Sequence, residues 1–425
     1  MRQLPLDKVK TSDERNFKKN FVWNMIGMTF NSFNSLFYMV IVTRINGTNT
    51  AGIFTLAFSI ACLVFYIGTY AGRIYQVTDS SKKVSTSDYV VQRLIAFVLL
   101  ITASIIYSFA MRYSGQKLII VLLLCLLKGL EALADVFYGI LHKNDYLYKA
   151  GFSLTIKSLL SITVFLVVDL ITHNIVLSIL SMIFIWGLML FFYDIPSSFR
   201  VEEFNWKSIR KQNVLFLFKD GFFVFLINFF SVYIVNAPKY AADGVLLNSA
   251  QAIFGIVLMP ATLVSLAVQY LIQPYLKKMA RYYEKEEIDN FNKIIMRLFF
   301  FTILFGVLCL IGAYIFGIPI LNLVYGINLT EYRMQLEIII LGAIFYSLSI
   351  ILSAAMTTTR YNFIQFIIYL LTSIMGFGVS NLLISIFKLD GAVLSYILIM
   401  LNQFILYTLS YIYLNKTKKI FAKHL

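Results

Sequence analysis

The sequence predicts an all-α polytopic membrane protein, with twelve transmembrane helices in two six-helix lobes around a central polar cavity. Of the 425 residues, 60% are hydrophobic and only 13% are charged, and the mean hydropathy is +0.80. A soluble domain is nearer to about 45–50% apolar and about 25% charged. The apolar residues also form runs of bilayer-spanning length, not the short alternating strands of a membrane β-barrel.

Twelve apolar runs have about the 20 residues that a helix needs to cross the hydrocarbon. The first starts at Phe21 and has no small-residue cleavage site behind it, so we expect a retained helix and not a signal peptide. The predicted spans are 20–43, 52–72, 91–110, 117–141, 151–170, 174–193, 213–236, 247–273, 293–316, 335–358, 362–386 and 391–414.

The basic residues orient these spans, because cytoplasmic loops carry an excess of Lys and Arg. If both termini are cytoplasmic, 29 of the 36 Lys and Arg residues fall on the cytoplasmic side. Lys128 lies within a span. The opposite side holds only Arg44, Arg112, Lys117, Lys239, Arg333 and Lys388. We therefore expect a multi-pass membrane protein with both termini in the cytoplasm.

The two longest loops are predicted to be cytoplasmic. The first, 194–212, contains the sequence FNWKSIRKQ, which we expect to form a short basic helix on the lipid headgroups. It separates an N-terminal lobe, 1–194, from a C-terminal lobe, 213–425, with 195–212 as the linker. The second loop, 277–292, reads as a charged helical extension of the preceding span.

Polar residues recur at helical spacing in the first two predicted spans of each lobe. Such a stripe must face protein or water, because lipid offers no hydrogen-bond partner. The similarity between the lobes favours a transporter with a polar cavity at the repeat interface. Ordinary polar packing between membrane helices is the alternative. The candidate cavity residues are Asn24, Asn31, Asn34, Ser59, Tyr66, Asn228, Asn248, Gln251 and Gln269.

Three charged residues lie on one face of the fourth predicted span. Lys128, Glu131 and Asp135 fall within an arc of about 60° at about 100° per residue. An unpaired charge at the bilayer centre costs about 2.5–3.5 kcal/mol. They are predicted either to fasten the helix through a Lys128–Glu131 ion pair or to contact substrate or a coupling ion. The coupling-ion candidates are Glu131, Asp135 and Asp220. Lys157 is expected to reach the cytoplasmic interface.

Arg44 and Lys239 are cations at the outer ends of equivalent helical hairpins in the two lobes. Together with Lys128 they are candidates for binding a diphosphate, which Arg and Lys recognise through charge-assisted hydrogen bonds. The alternative for Arg44 and Lys239 is that they are ordinary interfacial cations.

Several classes of function are disfavoured. The net charge of +15 fits basic loops on an anionic leaflet, so no nucleic-acid partner is expected. The three cysteines lie inside apolar runs and the three histidines lack ligand spacing. No metal, no cofactor and no catalytic residue is therefore predicted, and the chain lacks a nucleotide-binding motif and a nucleophile–base pair.

Several segments resemble the Wzx-type polysaccharide flippases of the multidrug/oligosaccharidyl-lipid/polysaccharide exporter superfamily. They are NFVWNMIG, TRINGTNTAGIFTLAFSIA, GRIYQVTD with SDYVVQRL, KGLEALADVFYGILHK, and NAPKY with LMPATLVSLAVQYLIQPYL. The resemblance covers nearly the whole length and is closest to members from Gram-positive capsule or exopolysaccharide clusters.

This resemblance implies two six-helix lobes, alternating access and no enzymatic activity. The implied substrate is an undecaprenyl-diphosphate-linked oligosaccharide repeat unit, moved to the outer leaflet with H+ or Na+ as a possible coupling ion. Membrane lipid and the polysaccharide polymerase machinery are the expected surroundings and partner. The alternatives are a drug or cation antiporter of the same superfamily, a membrane-embedded glycosyl polymerase or ligase, and a nontransporting scaffold.

Overall fold

The computed structural model describes residues 6–78 and 84–421, and within these ranges the protein is helical with no strand. The basic residues Arg2, Lys82, Lys83 and Lys423, which contribute to the predicted orientation, lie outside the described residues. The α-helices are α1 (Leu6–Thr69), α2 (Gly72–Thr78), α3 (Thr86–Ala110), α4 (Gly115–Lys143), α5 (Leu147–Thr172), α6 (Ile175–Met189), α7 (Ile195–Phe199), α8 (Lys211–Asp220), α9 (Phe222–Ala242), α10 (Asn248–Glu284), α11 (Ile288–Gly312), α12 (Ile318–Tyr325), α13 (Arg333–Thr358) and α14 (Asn362–Phe421).

Nine helical segments of the described chain are long and apolar enough to cross a membrane. The prediction of an all-α membrane protein is confirmed, whereas the count of twelve crossings stays a prediction. Two of the nine, α1 and α14, each contain one residue with non-helical backbone angles, Gly47 and Lys388. Both residues lie in loops that the sequence predicts between successive spans. At φ 79° and ψ 172°, Gly47 adopts a conformation that is essentially restricted to glycine.

The described chain divides into two compact units, Met1–Phe229 and Phe230–Leu425. In the first, α1 packs against α3, α4 and α5, and α6 packs against α4 and α5. In the second, α10 packs against α11 and α13, and α13 packs against α11 and α14. The predicted lobe boundaries at 194 and 213 stay predictions.

The close approach of α1 and α5 depends on two glycines. A Cβ atom on Gly151 would lie 2.3 Å from the backbone carbon of Trp23, and one on Gly27 would lie 2.4 Å from the carbonyl oxygen of Gly151. Real Cβ atoms do not approach backbone atoms so closely. Small residues at a crossing let membrane helices come near enough for extensive van der Waals contact.

Two π-helical turns, Leu190–Asp194 and Ala313–Gly317, each lie just before a proline, Pro196 or Pro319. A proline inside a helix removes one backbone donor and clashes with the carbonyl one turn earlier. A π-turn is one of the known adjustments at such interruptions. The first of these turns extends the sixth predicted span beyond residue 193 and keeps Asp194 within the helix bundle.

The linker is held by the beginning of α3. The Asp88 carboxylate accepts hydrogen bonds from the backbone N–H of Arg210 at 2.8 Å and from the Asn213 amide at 2.9 Å. The backbone N–H of Asn205 donates to Ser87 Oγ at 2.9 Å. The segment FNWKSIRKQ differs from its predicted form, because it contains a 3₁₀ turn, Trp206–Ser208, and the beginning of α8 in place of one short helix. The predicted span 213–236 is likewise interrupted at Gly221, where α8 ends.

Candidate substrate site

The charged face of α4 carries the ion pair that its sequence predicts. Lys128 Nζ lies 2.6 Å from Glu131 Oε2, and both side chains are less than one-fifth exposed. The Asn31 amide of α1 donates to the other Glu131 oxygen at 3.1 Å. Lys128 also lies over the rings of Phe58 at 5.3 Å and Phe65 at 5.7 Å. The pair is therefore neutralised and held by α1, and its predicted contact with substrate or a coupling ion stays a prediction.

Asp135 lies one turn further along α4 and faces two arginines. Its carboxylate oxygens are 3.9 Å from Arg73 Nε and 3.7 Å from Arg93 Nη2. Arg93 is 2% exposed and donates to the backbone oxygen of Gly68 at 3.3 Å. In the predicted orientation, Arg73 and Arg93 belong to the cytoplasmic loop cations between the second and third spans. The position of Arg93 within the predicted span 91–110 was the signal that it lies inside the bundle.

Lys157 does not reach the interface, so its predicted location is wrong. It is fully buried, and its ammonium pairs with the equally buried carboxylate of Asp194 and donates to Tyr138 Oη at 2.9 Å. Ser153 Oγ donates to the other Asp194 oxygen at 2.6 Å. The ammonium also lies 4.7 Å from the centre of the Trp186 ring. The π-turn retains Asp194 in the bundle, where it pairs with Lys157. In the sequence, Asp194 belongs to the predicted loop 194–212.

The candidate cavity residues of α1 are heterogeneous in burial. Asn34 is 5% exposed, and its side-chain oxygen has no hydrogen-bond partner among the described residues. Asn24 is half-buried, and its side-chain oxygen also lacks a partner there. Ser59 is buried and donates to the backbone oxygen of Thr55 at 2.8 Å, whereas Tyr66 is half-buried. Their assignment to a cavity stays a prediction.

The remaining candidates are spread over several elements. Arg44 and Asp220 are exposed, and Lys239 is half-buried in the last turn of α9. Gln251 is 4% exposed and donates to the backbone oxygens of Ala242 at 3.2 Å and Leu246 at 3.4 Å, which ties the end of α9 to α10. Three further candidates, Asn228, Asn248 and Gln269, are half-buried, half-buried and exposed, respectively.

The structure thus brings Asn31, Lys128 and Glu131 together, with Asp135 on the same helix. Asp220 lies on α8, apart from the other two coupling-ion candidates along the chain. Within residues 6–78 and 84–421, no group of His, Cys, Asp and Glu has an arrangement that would hold a metal ion. The three cysteines of this part of the chain are free.

Comparisons with solved structures decide the fold. An inward-facing MATE multidrug resistance transporter of the MOP superfamily superposes with a TM-score of 0.72, at 11% identity over 93% of this chain and 99% of that one. The lipid II flippase MurJ, in an inward closed conformation, gives a TM-score of 0.66 at 17% identity, over 92% of this chain and 87% of MurJ. The chain has the fold of the MOP-superfamily transporters.

A second likeness is to a protein of polysaccharide synthesis. The chain is 23% identical over 406 residues to the capsular polysaccharide biosynthesis protein CapF of Staphylococcus aureus, covering 94% of this chain and 99% of CapF. No protein-family model matches the chain. The MOP fold and the CapF likeness both agree with the resemblance found in the sequence, and the fold with its apolar helices makes this a multi-pass membrane protein.

Proposed function

We propose that this protein moves undecaprenyl-diphosphate-linked oligosaccharide repeat units from the cytoplasmic to the outer leaflet of a bacterial cell membrane, for capsule or exopolysaccharide synthesis. The observation that carries the proposal is the likeness to CapF along both whole chains, on a fold shared with the lipid II flippase MurJ. By their names, CapF acts in capsular polysaccharide biosynthesis and MurJ is a flippase of lipid II. The proposed action is transport by alternating access of two six-helix lobes, and it makes or breaks no covalent bond.

The chemistry of such a substrate fits polar and basic groups of both units. A glycan needs hydrogen-bonding partners along its path, because the hydrocarbon offers none. Asn24 and Asn34 keep buried side-chain oxygens without partners among the described residues, and such groups are costly unless they meet water or a ligand. The diphosphate needs cations, for which Arg44, Lys239 and Lys128 are the proposed contacts.

The proposed coupling ion is H+ or Na+, and its proposed sites are Glu131, Asp135 and Asp220. Glu131 and Asp135 are carboxylates within the helix bundle, where ionisable residues commonly mark ion pathways. The first is neutralised by Lys128 and the second faces two arginines. A change in the protonation of either carboxylate would therefore alter ion pairs between or within helices. The polysaccharide polymerase machinery is the proposed partner on the receiving side.

The decisive experiment is reconstitution into liposomes with a fluorescent undecaprenyl-diphosphate oligosaccharide. Its accessibility to an external lectin or quencher is followed with and without a proton or sodium gradient. We expect protein-dependent crossing that requires the glycan and is accelerated by one of the two gradients. Liposomes without protein, and liposomes with undecaprenyl phosphate alone, are the controls.

A drug or cation antiporter is the second candidate, because the MATE transporter gives a TM-score of 0.72. The same liposomes distinguish the two. Export of a small organic cation against a gradient, with no crossing of the correct repeat unit, would replace the flippase proposal by the antiporter. A polymerase or ligase is less favoured, since the comparisons with solved structures return transporters and a flippase.

A further inference from the structure

The cluster formed by Arg73, Arg93 and Asp135 has more positive charge than it can neutralise. Two guanidinium groups face one carboxylate, which leaves a formal charge of +1. Arginine remains protonated in proteins, so burial cannot remove this charge by deprotonation. An uncompensated charge inside a helix bundle is unfavourable unless an anion or water reaches it.

The cluster also has more donors than acceptors. The distances of 3.9 Å and 3.7 Å to Asp135 exceed those of a hydrogen bond, which for N–H···O lie at about 2.7–3.2 Å. Arg73 Nη1 and Arg93 Nε are buried and have no acceptor among the described residues. The backbone oxygen of Gly68, 3.3 Å from Arg93 Nη1, is the acceptor that the described chain supplies.

Four elements place these groups together. Gly68 lies in the last turn of α1. A Cβ atom there would meet Leu100 of α3 and Ala132 of α4 at less than 3 Å, so the three helices converge at this point. The turn after α1 passes through Gly72, whose φ of 76° favours glycine, and α2 then presents Arg73. Arg93 comes from α3 and Asp135 from α4. Arg73 and Asp135 remain 19% and 20% exposed, so the cluster is not fully enclosed by the helices around it.

We infer that Arg73 and Arg93 form a binding site for a phosphoryl anion, with the diphosphate of a polyprenyl-linked substrate as its ligand. Guanidinium groups bind phosphate oxygens with paired N–H donors, and two of them suit a diphosphate. The bound anion would take over the donors that Asp135 faces without hydrogen-bonding. This inference rests on the proposed function for the identity of the ligand, but not for the existence of the anion site.

The position of the cluster gives the site a role in transport. In the predicted orientation, the end of the second span and the beginning of the third are cytoplasmic, where the substrate is loaded. Arg44 and Lys239 lie at the opposite ends of their helices. The cluster would therefore receive the diphosphate first, and the outer cations would receive it later in the cycle.

The experiment measures binding by the full-length protein purified in detergent, with isothermal titration calorimetry. The two probes are inorganic pyrophosphate and a short-chain polyprenyl diphosphate. We expect both to bind, the polyprenyl diphosphate more tightly. Binding of pyrophosphate alone would overturn the assignment to a lipid-linked ligand, and binding of neither probe would overturn the site.

Two variants of the cluster are expected to change the affinity for the anion in opposite directions. Arg73→Gln removes donors to an anion and should weaken binding by about tenfold or more. Asp135→Asn removes the carboxylate that competes for the guanidiniums and should strengthen binding. Arg200→Gln changes an exposed arginine outside the cluster and should leave binding unchanged. Unaltered binding by Arg73→Gln, or weaker binding by Asp135→Asn, would overturn the inference.

The choice of Arg73 and Asp135 avoids the buried Arg93, whose replacement threatens folding. Binding in detergent needs no translocation, so the two proposals fail separately. Arginine-dependent binding without crossing in liposomes would leave the anion site and remove the flippase function. Crossing that persists in Arg73→Gln, together with unaltered binding, would leave the flippase function and remove the anion site.

Discussion

Arg44 and Lys239 are two of the few cations on the outer side of the membrane in the predicted orientation. Replacing either by glutamine removes its proposed charge-assisted contact to the diphosphate. We expect Arg44→Gln and Lys239→Gln to abolish crossing in the liposome assay while the protein still accumulates in the membrane. The matched controls are Arg112→Gln and Lys388→Gln, which remove exposed cations of the same predicted side. Normal crossing by both test variants would exclude these residues as diphosphate contacts.

Lys157 and Asp194 make a buried ion pair whose partners depend on each other. Lys157→Met leaves the Asp194 carboxylate buried without its cation, a change that costs about 3–5 kcal/mol in comparable pairs. We expect a large fall in the thermal unfolding temperature of the purified protein. Lys157→Met combined with Asp194→Leu should recover much of the loss, because two apolar groups replace two charges. Lys143→Met, at an exposed lysine, is the control. A double variant as unstable as Lys157→Met would contradict this account.

The ion pairs within the bundle show which contacts the sequence predicts and which it does not. Lys128 and Glu131 are one helical turn apart, so their ion pair follows from spacing alone. Lys157 and Asp194 belong to different helices, and Arg93 meets Asp135 only after α3 and α4 have packed. A periodic pattern identifies the face of a helix but not the neighbour that covers it. The buried pair and the arginine cluster therefore required the structure.

At the scale of the helices, the crossing of α1 and α5 has no room for another side chain. Gly151→Ala places a Cβ atom 2.3 Å from the backbone of Trp23, so the helices must separate. We expect a loss of about 1–3 kcal/mol, the usual range for overpacking, measured as a lower unfolding temperature and lower yield of folded protein. Gly187→Ala in α6 is the matched control, because its new methyl group has nothing within 4 Å. Equal stability of the two variants would show that α1 and α5 are less closely packed than described.

The helical elements were largely predictable, because long apolar runs dominate the sequence. The interruptions within these helices were less predictable. Gly47 and Lys388 break α1 and α14 in the loops that the sequence predicts, where polar residues separate the apolar runs. The sixth predicted span ends at residue 193, because the apolar pattern contains no signal for the π-turn before Pro196. The helix in fact continues through α7 to Phe199, and this difference decides whether Asp194 is a loop residue or the partner of Lys157.

At the scale of the whole molecule, an even number of crossings places the two termini on the same side of the membrane. An odd number, such as the nine apolar segments of the described chain, would place them on opposite sides. Counting α1 and α14 as two crossings each and adding α4 gives the predicted twelve. α4 is long enough to cross, but Lys128, Glu131 and Asp135 lower its apolar character. The ion pairs of these three residues reduce the cost of placing α4 in the membrane.

The twelve-crossing topology predicts which residues an impermeant maleimide reaches in intact cells. In a chain whose three cysteines are replaced by alanine, Asn49→Cys and Lys388→Cys should be labelled from outside, because both exposed positions follow an odd number of crossings. Lys143→Cys and Arg360→Cys, at exposed positions after four and ten predicted crossings, should be labelled only after permeabilisation. If α4 did not cross, every later position would change sides, and Lys143→Cys would be labelled in intact cells. Protection of position 388 together with labelling at 49 would likewise show that the crossings between them are odd in number, which the proposed pair of six-helix lobes does not allow.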